Sequence, residues 1–283
     1  MSLRDNQSLK TQNSKLKTRN SWGEKVGVEL LQWVWGDTPA GFKRLSSDRM
    51  QMIMVREGLE STLVRKDFPA ESDSAKESPF HGRGQLHSLR LENGERALVR
   101  AYRHGGILRH LTGDFFFTWP PRPFRELAIT EEARRRGIST LEILAAWVER
   151  AWGPFYHGWL VTRELRGADD LWAVLESGHY VGEGRELLLR AVARSIKAMH
   201  RRGIFHRDLN LKNILVRREM DGIRSIIIDF DKARVFPGTV PPEKAQRNLN
   251  RLLRSVGKLD PDRRRLTRED WDLFIRFYRE ATE

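Results

Sequence analysis

Apolar and polar positions change period several times along the chain, and the changes outline an α+β protein. Residues 1–20 are polar, rich in Asn, Gln, Ser, Thr and Lys, and read as a disordered basic tail. Val26 to Trp35 is a short amphipathic piece. Its tryptophans read as packing residues, with a membrane-interface role as the alternative. Gln51 to Val55 predicts a strand, and the Ser-, Asp-, Glu- and Lys-rich stretch from Pro69 to Pro79 a flexible connection. Strands are predicted over Gln85 to Leu91 and Arg96 to Tyr102, around a turn at Glu92-Asn93-Gly94. A helix opens at Phe124 and runs to Arg136, with Gly137 as its stop. Gly158 to Leu165 reads as a strand leading into a hinge.

The second half is mostly helical. Helices are predicted over Asp169 to Leu175 and Glu183 to Arg202, the latter with Leu187, Leu188, Ala191, Ile196 and Met199 as its apolar stripe. Ile214 to Val216 and Ser225 to Ile228 predict a β-hairpin turning at Glu219 to Gly222, before a helical tail. The expected organisation is a tail over 1–20, an extension with the first strands over 21–80, a sheet-built lobe over 81–165 and a helical lobe over 166–283.

Composition narrows the class. The chain has 283 residues, 39% hydrophobic and 31% charged, enough for two lobes around a cleft. It has no cysteine, which removes disulfides and thiolate metal sites. No apolar run approaches the ~18–20 residues needed to span a bilayer, and the start lacks an apolar signal-peptide core, so a cytoplasmic location is expected. The net charge is +13. Clusters such as Arg134-Arg135-Arg136, Arg201-Arg202 and Arg263-Arg264-Arg265 each read singly as solvated helix faces. The global excess points to an anionic partner, a membrane surface or a phosphorylated substrate.

Candidate chemistry lies in His206-Arg207-Asp208-Leu209-Asn210-Leu211-Lys212-Asn213, which has the spacing H-R-D-x-x-x-x-N, and in Ile226-Ile227-Ile228-Asp229-Phe230-Asp231. Each acid alone is explained as well by a turn cap or a strand end. In this order, sixteen residues apart between Asn213 and Asp229, they resemble the catalytic and metal-binding loops of the protein-kinase-like fold. In that pattern Asp208 accepts or orients the acceptor hydroxyl proton, while Asn213 and Asp229 hold Mg²⁺ against the phosphates of ATP. His206 reads as a scaffold of the loop, and His200 as a structural or capping residue.

Upstream, Gly82-Arg83-Gly84 has G-x-G without the third glycine of a phosphate-binding hairpin; an ordinary turn explains it equally well when taken alone. Ala97-Leu98-Val99-Arg100 stands where V-A-I-K is expected, with arginine for lysine. Arg103 competes with Arg100 for the phosphate-facing place, though strand alternation puts the two on opposite faces. Glu126 is the helix acid expected to pair with the strand cation, with Glu131 and Glu132 as alternatives. Backbone groups around Glu164, Leu165 and Arg166 are placed to meet adenine. The aromatic, basic segment from Tyr102 to Phe117 reads either as a contact for an anionic acceptor or lipid, or as a local core beneath a loop.

The chain also resembles the lipopolysaccharide kinase family that includes 3-deoxy-D-manno-oct-2-ulosonic acid (Kdo) kinase, from about Gly82 to Arg279. The resemblance rests on Gly82-Arg83-Gly84, Leu98 to Gly106, His206 to Asn213, Ile228 to Arg234 and Gln246 to Ser255. The last segment discriminates best, because general kinases lack it. The resemblance implies a bilobal protein-kinase-like fold, with an antiparallel N-lobe sheet, one main N-lobe helix and a mostly helical C-lobe. It implies ATP-dependent phosphorylation of a sugar hydroxyl on the Kdo of a lipid A precursor. It further implies peripheral attachment at the cytoplasmic face of the inner membrane, with a lipid-linked sugar rather than nucleic acid as partner; no oligomeric state follows. Other acceptors, such as a heptose, a small molecule or a protein, are the alternative within the fold. A pseudokinase-like module that binds anionic surfaces is the alternative outside catalysis. Three departures stand out. The lysine that Ser/Thr kinases carry two residues after the catalytic aspartate is Asn210, no A-P-E follows Asp229, and Asp231 replaces the glycine of D-F-G.

Overall fold

Six strands, β1 (Phe42–Ser47), β2 (Gln51–Arg56), β3 (Leu86–Arg90), β4 (Arg96–Ala101), β5 (Ile143–Arg150) and β6 (Tyr156–Arg163), build one antiparallel sheet in the order β1-β2-β5-β6-β4-β3. The computed structural model of the chain describes residues 36–47, 51–64, 86–102 and 115–281. The predicted tail, the Val26–Trp35 piece, the 69–79 connection, Gly82, Gly84 and Arg103 lie outside the described residues.

The sheet is buried on both faces, and that shapes its centre. One face packs Phe42, Met54, Phe116, Phe124, Leu127 and Tyr156; the other packs Ile53, Val55, Leu63, Val99, Trp147 and Val161. The central strand β5 is therefore apolar without alternation, from Ile143 to Val148. A short helix, α1 (Glu60–Leu63), buries Leu63 on the second face. On the first face lies α2 (Arg122–Arg135), which begins two residues before the expected Phe124. Its first turn approaches β6 closely: a Cβ on Gly158 would stand 2.6 Å from Pro123 Cγ, so glycine is required there. Gly137, at φ +75°, closes the helix as expected.

The remainder is built on helices. A short strand, β7 (Ala168–Asp170), precedes α3 (Leu171–Ser177), so Asp169 is not helical as expected; Asp170 instead caps α3, accepting from the Ala173 N–H at 3.0 Å. The long helix α4 (Gly182–Arg201) buries Leu188, Leu189, Val192, Ala193, Ile196, Met199 and His200. The expected stripe was rotated slightly, since Leu187 is 54% exposed. After α4 come β8 (Ile204–Phe205), a 3₁₀ turn over Leu211–Asn213, the hairpin β9 (Ile214–Glu219) and β10 (Gly222–Ile227), and β11 (Arg234–Val235). Two helices, α5 (Pro242–Leu259) and α6 (Arg268–Glu280), complete the chain. Helix α6 starts on a capping box between Thr267 and Asp270. The core of this half gathers α3, α4, α5, α6 and the hairpin around Leu188, Ile196, Phe230, Leu252 and Phe274.

Candidate active site

β8 pairs with β11, Phe205 opposite Arg234, and this clasp closes both functional loops at one point. His206 follows β8 and is 1% exposed. Its Nδ1 accepts the Asp208 N–H at 3.2 Å, so its Nε2–H donates to the Ile228 carbonyl at 2.8 Å. Burial lowers its pKa and suits this neutral tautomer. Asn210 and Asn213 each donate a side-chain N–H to the Asp208 carbonyl at 2.9 Å. The loop is thus braced through its backbone, and the half-exposed Asp208 carboxylate faces outward toward Arg251, 3.2 Å away.

The Ile228 N–H donates to the Asn213 carbonyl at 3.0 Å, which sets Asp229 beside Asn213 at the open end of the hairpin. Asp229 has φ +66°, a left-handed conformation that Asp and Asn tolerate better than most residues. The Asn213 amide nitrogen is engaged with Asp208, which leaves its oxygen as the free end of the side chain. An amide oxygen and a partly exposed carboxylate are hard donors and fit Mg²⁺, which completes its shell with water and phosphate oxygens. Among the described residues no cluster of three or more His, Cys, Asp or Glu forms a closed metal cage.

Arg100, on β4, and Glu126, on α2, meet across the first core. One guanidinium nitrogen lies 2.7 Å from both carboxylate oxygens, and the other terminal nitrogen lies 3.7 Å from Asp229. Tyr102 donates its hydroxyl to Glu126 as well. Burial pushes the Glu126 pKa up, while the Arg100 guanidinium pulls it down; the net direction is up. Burial opposes the Arg100 charge, but Glu126, Tyr102 and Asp229 outweigh it and its pKa is raised. The alternative acids have other partners: Glu131 pairs with Arg56 at 2.8 Å, and Glu132 with Arg135 and Arg136 at 2.7 Å.

Several residues of the site have partners that the sequence does not indicate. Asp231 is 4% exposed and pairs with Arg122, whose Nε is 3.1 Å away, and with Arg125. Both arginines lie in the first turn of α2. The acid that replaces a glycine therefore anchors the Asp229 loop to the helix that carries Glu126. On the other side, α5 presents Asn248, Arg251 and Ser255 to the loop. Asn248 is buried; its Oδ1 accepts the His206 N–H at 3.2 Å and its Nδ2 donates to the His206 carbonyl at 2.7 Å. Ser255 Oγ accepts the Leu211 N–H at 3.2 Å. The spacing of these three residues, three and then four, is the signal that they share a helix face.

His200 lies behind this layer, with Nε2 2.9 Å from Asn248 Oδ1 and Nδ1 2.7 Å from the Tyr278 hydroxyl. Burial is the main cause of its pKa falling from 6.5 to about 4, with Asn248 opposing the fall. Because the folded pKa is the lower one, the unfolded chain takes up the proton first. The associated stability is complete above pH 6.5 and is lost as pH falls through about 4. The gap corresponds to about 3 kcal/mol. Urea unfolding at pH 7 and pH 4.5 is expected to show a steeper acid loss in the native protein than in His200→Gln; equal losses would remove His200 from the account.

At the hinge, the Glu164 N–H is already bonded to the Arg96 carbonyl at 2.8 Å, so that group is not available to adenine. In the aromatic segment, Phe116 is 2% exposed and bridges to Tyr156 as part of the core, whereas Phe117 is 61% exposed near Phe155. The local-core reading holds at Phe116, while residues 103–114 lie outside the described residues.

A family model described as Lipopolysaccharide kinase (Kdo/WaaP) family matches residues 68–278. The chain is 35% identical over 181 residues to a 3-deoxy-D-manno-octulosonic acid kinase of Vibrio vulnificus (strain CMCP6), covering 62% of this chain and 71% of that protein. It is 29% identical over 203 residues to a protein of the same name from Pasteurella multocida (strain Pm70), covering 70% and 82%. Among solved structures, that of WaaP in complex with acyl carrier protein superposes with a TM-score of 0.53 at 21% identity, over 81% of this chain and 89% of that one. This last likeness concerns the fold.

Proposed function

The chain belongs to the lipopolysaccharide kinase (Kdo/WaaP) family, and on that premise we propose that it transfers the γ-phosphoryl group of ATP to a hydroxyl of the Kdo sugar on a lipid A precursor. The observation that carries the reading is that His206 and Asn213 tie the Asp208 loop to the Asp229 loop, and that Asp229 lies 3.7 Å from the Arg100 held by Glu126. Asp208 orients the acceptor hydroxyl and takes its proton as the oxygen attacks phosphorus and the bond to ADP breaks. Asn213 and Asp229 are the residues that would hold Mg²⁺, which supplies charge neutralisation at the phosphates. Arg100, fixed by Glu126, presents a cation beside Asp229 and the phosphates. Asp231 and Asn248 position the two loops from opposite sides.

A membrane-facing location accompanies this reading. The chain carries +13, its acceptor is a lipid, and among the described residues no helix is long and apolar enough to cross a membrane. Attachment is therefore peripheral and electrostatic, and weakens as the Debye length falls from about 10 Å at 0.1 M salt to about 3 Å at 1 M.

Labelled ATP and Mg²⁺ should transfer phosphate to Kdo-bearing lipid A precursor in anionic vesicles, with transfer falling as salt is raised. A heptose-bearing core acceptor and a generic protein should stay unlabelled. Label on the heptose or the protein, with none on Kdo, would reject the acceptor assignment. Salt-independent transfer from neutral and anionic vesicles alike would reject the attachment model.

A further inference from the structure

The face of α5 beside the catalytic loop carries Arg247, Arg251, Arg254 and Lys258, all exposed. Their spacing of four, three and four residues confines them to an arc of about 60° and a length of about 16 Å. The adjoining edge of the same helix holds Asn248 and Ser255, bonded to the backbone of the catalytic loop, so the row of cations lies along the lip of that loop. Arg251, inside the row, touches the Asp208 carboxylate. Among the described residues, Arg247, Arg254 and Lys258 have no acidic partner. The acid on this side, Glu243, lies in the first turn, ahead of the row.

A solvated helix face ordinarily mixes signs at i+3 and i+4, because like charges at those spacings repel. Here Arg247–Arg251, Arg251–Arg254 and Arg254–Lys258 are all like pairs at those spacings. The repulsion is relieved when anions lie along the row. The contact between Arg251 and Asp208 fixes where those anions must be: on both sides of the hydroxyl that Asp208 addresses.

We propose that this face of α5 is the binding site for the acceptor, and that it recognises a glycolipid carrying two or more phosphate or carboxylate groups spread along about 16 Å. Arg251 binds next to the reacting hydroxyl, and Arg247, Arg254 and Lys258 bind the flanking anions. The inference rests on the reading of Asp208 as the residue that faces the acceptor. It also places here the cation that Ser/Thr kinases supply from within the catalytic loop and that Asn210 cannot supply.

The test is the triple variant Arg247→Ala, Arg254→Ala, Lys258→Ala, which leaves Arg251, Asn248 and Ser255 in place. Two measurements are made. In turnover, KM for Kdo-bearing lipid A precursor should rise at least tenfold, with KM for ATP unchanged. In direct binding, a bisphosphorylated disaccharide glycolipid in neutral detergent micelles should bind the native protein at least tenfold more tightly than the variant, and its dephosphorylated counterpart should bind both alike. An unchanged glycolipid affinity in the variant overturns the proposal. So does a loss of affinity for phosphatidylglycerol vesicles with unchanged acceptor KM, which would assign the row to the bilayer surface. The binding measurement stands without turnover. A native protein that binds the bisphosphorylated glycolipid through this row but phosphorylates no Kdo therefore refutes the proposed reaction and leaves the site.

Discussion

Asp208→Asn is expected to lower kcat by about 10²–10⁴-fold, the range lost when a positioned general base is removed. The effect should appear in a folded protein, because the bonds that shape the loop do not use the carboxylate. They run through the Asp208 N–H and carbonyl, His206, Asn210 and Asn213. Asp229→Asn is expected to cause a comparable loss with a different signature. Asn keeps a side-chain oxygen and tolerates the φ of +66°, so the hairpin end should stay in place while the charge proposed to face the metal disappears. The affinity for Mg²⁺–ATP should therefore fall in Asp229→Asn and remain close to normal in Asp208→Asn. Steady-state kinetics, nucleotide titration and thermal unfolding on the same preparations separate the cases. Near-normal turnover in either folded variant would remove that residue from the mechanism.

The chemistry was more legible in the sequence than its support. Asp208, Asn213 and Asp229 stand out by spacing, since the two loops are short and each proposed role demands one residue type. Arg100 follows from its place in Ala97-Leu98-Val99-Arg100 and Glu126 from its place near the start of the helix, with Glu131 and Glu132 as alternatives; the structure joins Arg100 and Glu126 at 2.7 Å. Strand β5 was missed because it is buried on both faces. Ile143 to Val148 shows no period of two, and a short continuous apolar run does not distinguish strand from helix. Asp231 was legible only as a missing glycine. Its partners Arg122 and Arg125 lie more than a hundred residues earlier, and no local pattern links them. The error at Leu187 has a similar origin: in the run Leu187-Leu188-Leu189, composition gives no register, and packing against α6 and the hairpin chooses Leu188 and Leu189.

Asn248→Ala is expected to be the most damaging change outside the proposed triplet of Asp208, Asn213 and Asp229. The side chain is 1% exposed and satisfies three groups: the N–H and carbonyl of His206, and His200 Nε2. Truncation leaves all three buried without that partner, and each such group costs about 1–3 kcal/mol. A loss of about 3 kcal/mol or more is therefore expected in urea unfolding at pH 7. Catalysis should suffer separately. His206 fixes the Asp208 N–H on one side and the Ile228 carbonyl on the other, so releasing it frees both functional loops at once. A displacement of about 1 Å in a reacting group costs on the order of 10²-fold in rate. At a temperature where Asn248→Ala is fully folded, kcat should fall by about that factor, with KM for ATP changed less. Ser255→Ala, which removes a single bond to Leu211 farther along the same loop, should fall by less than tenfold. A destabilised Asn248→Ala protein with native kcat would show that α5 holds the fold without positioning Asp208. Equal losses in the two variants would mean that the whole helix face, rather than the His206 contacts, sets the loop.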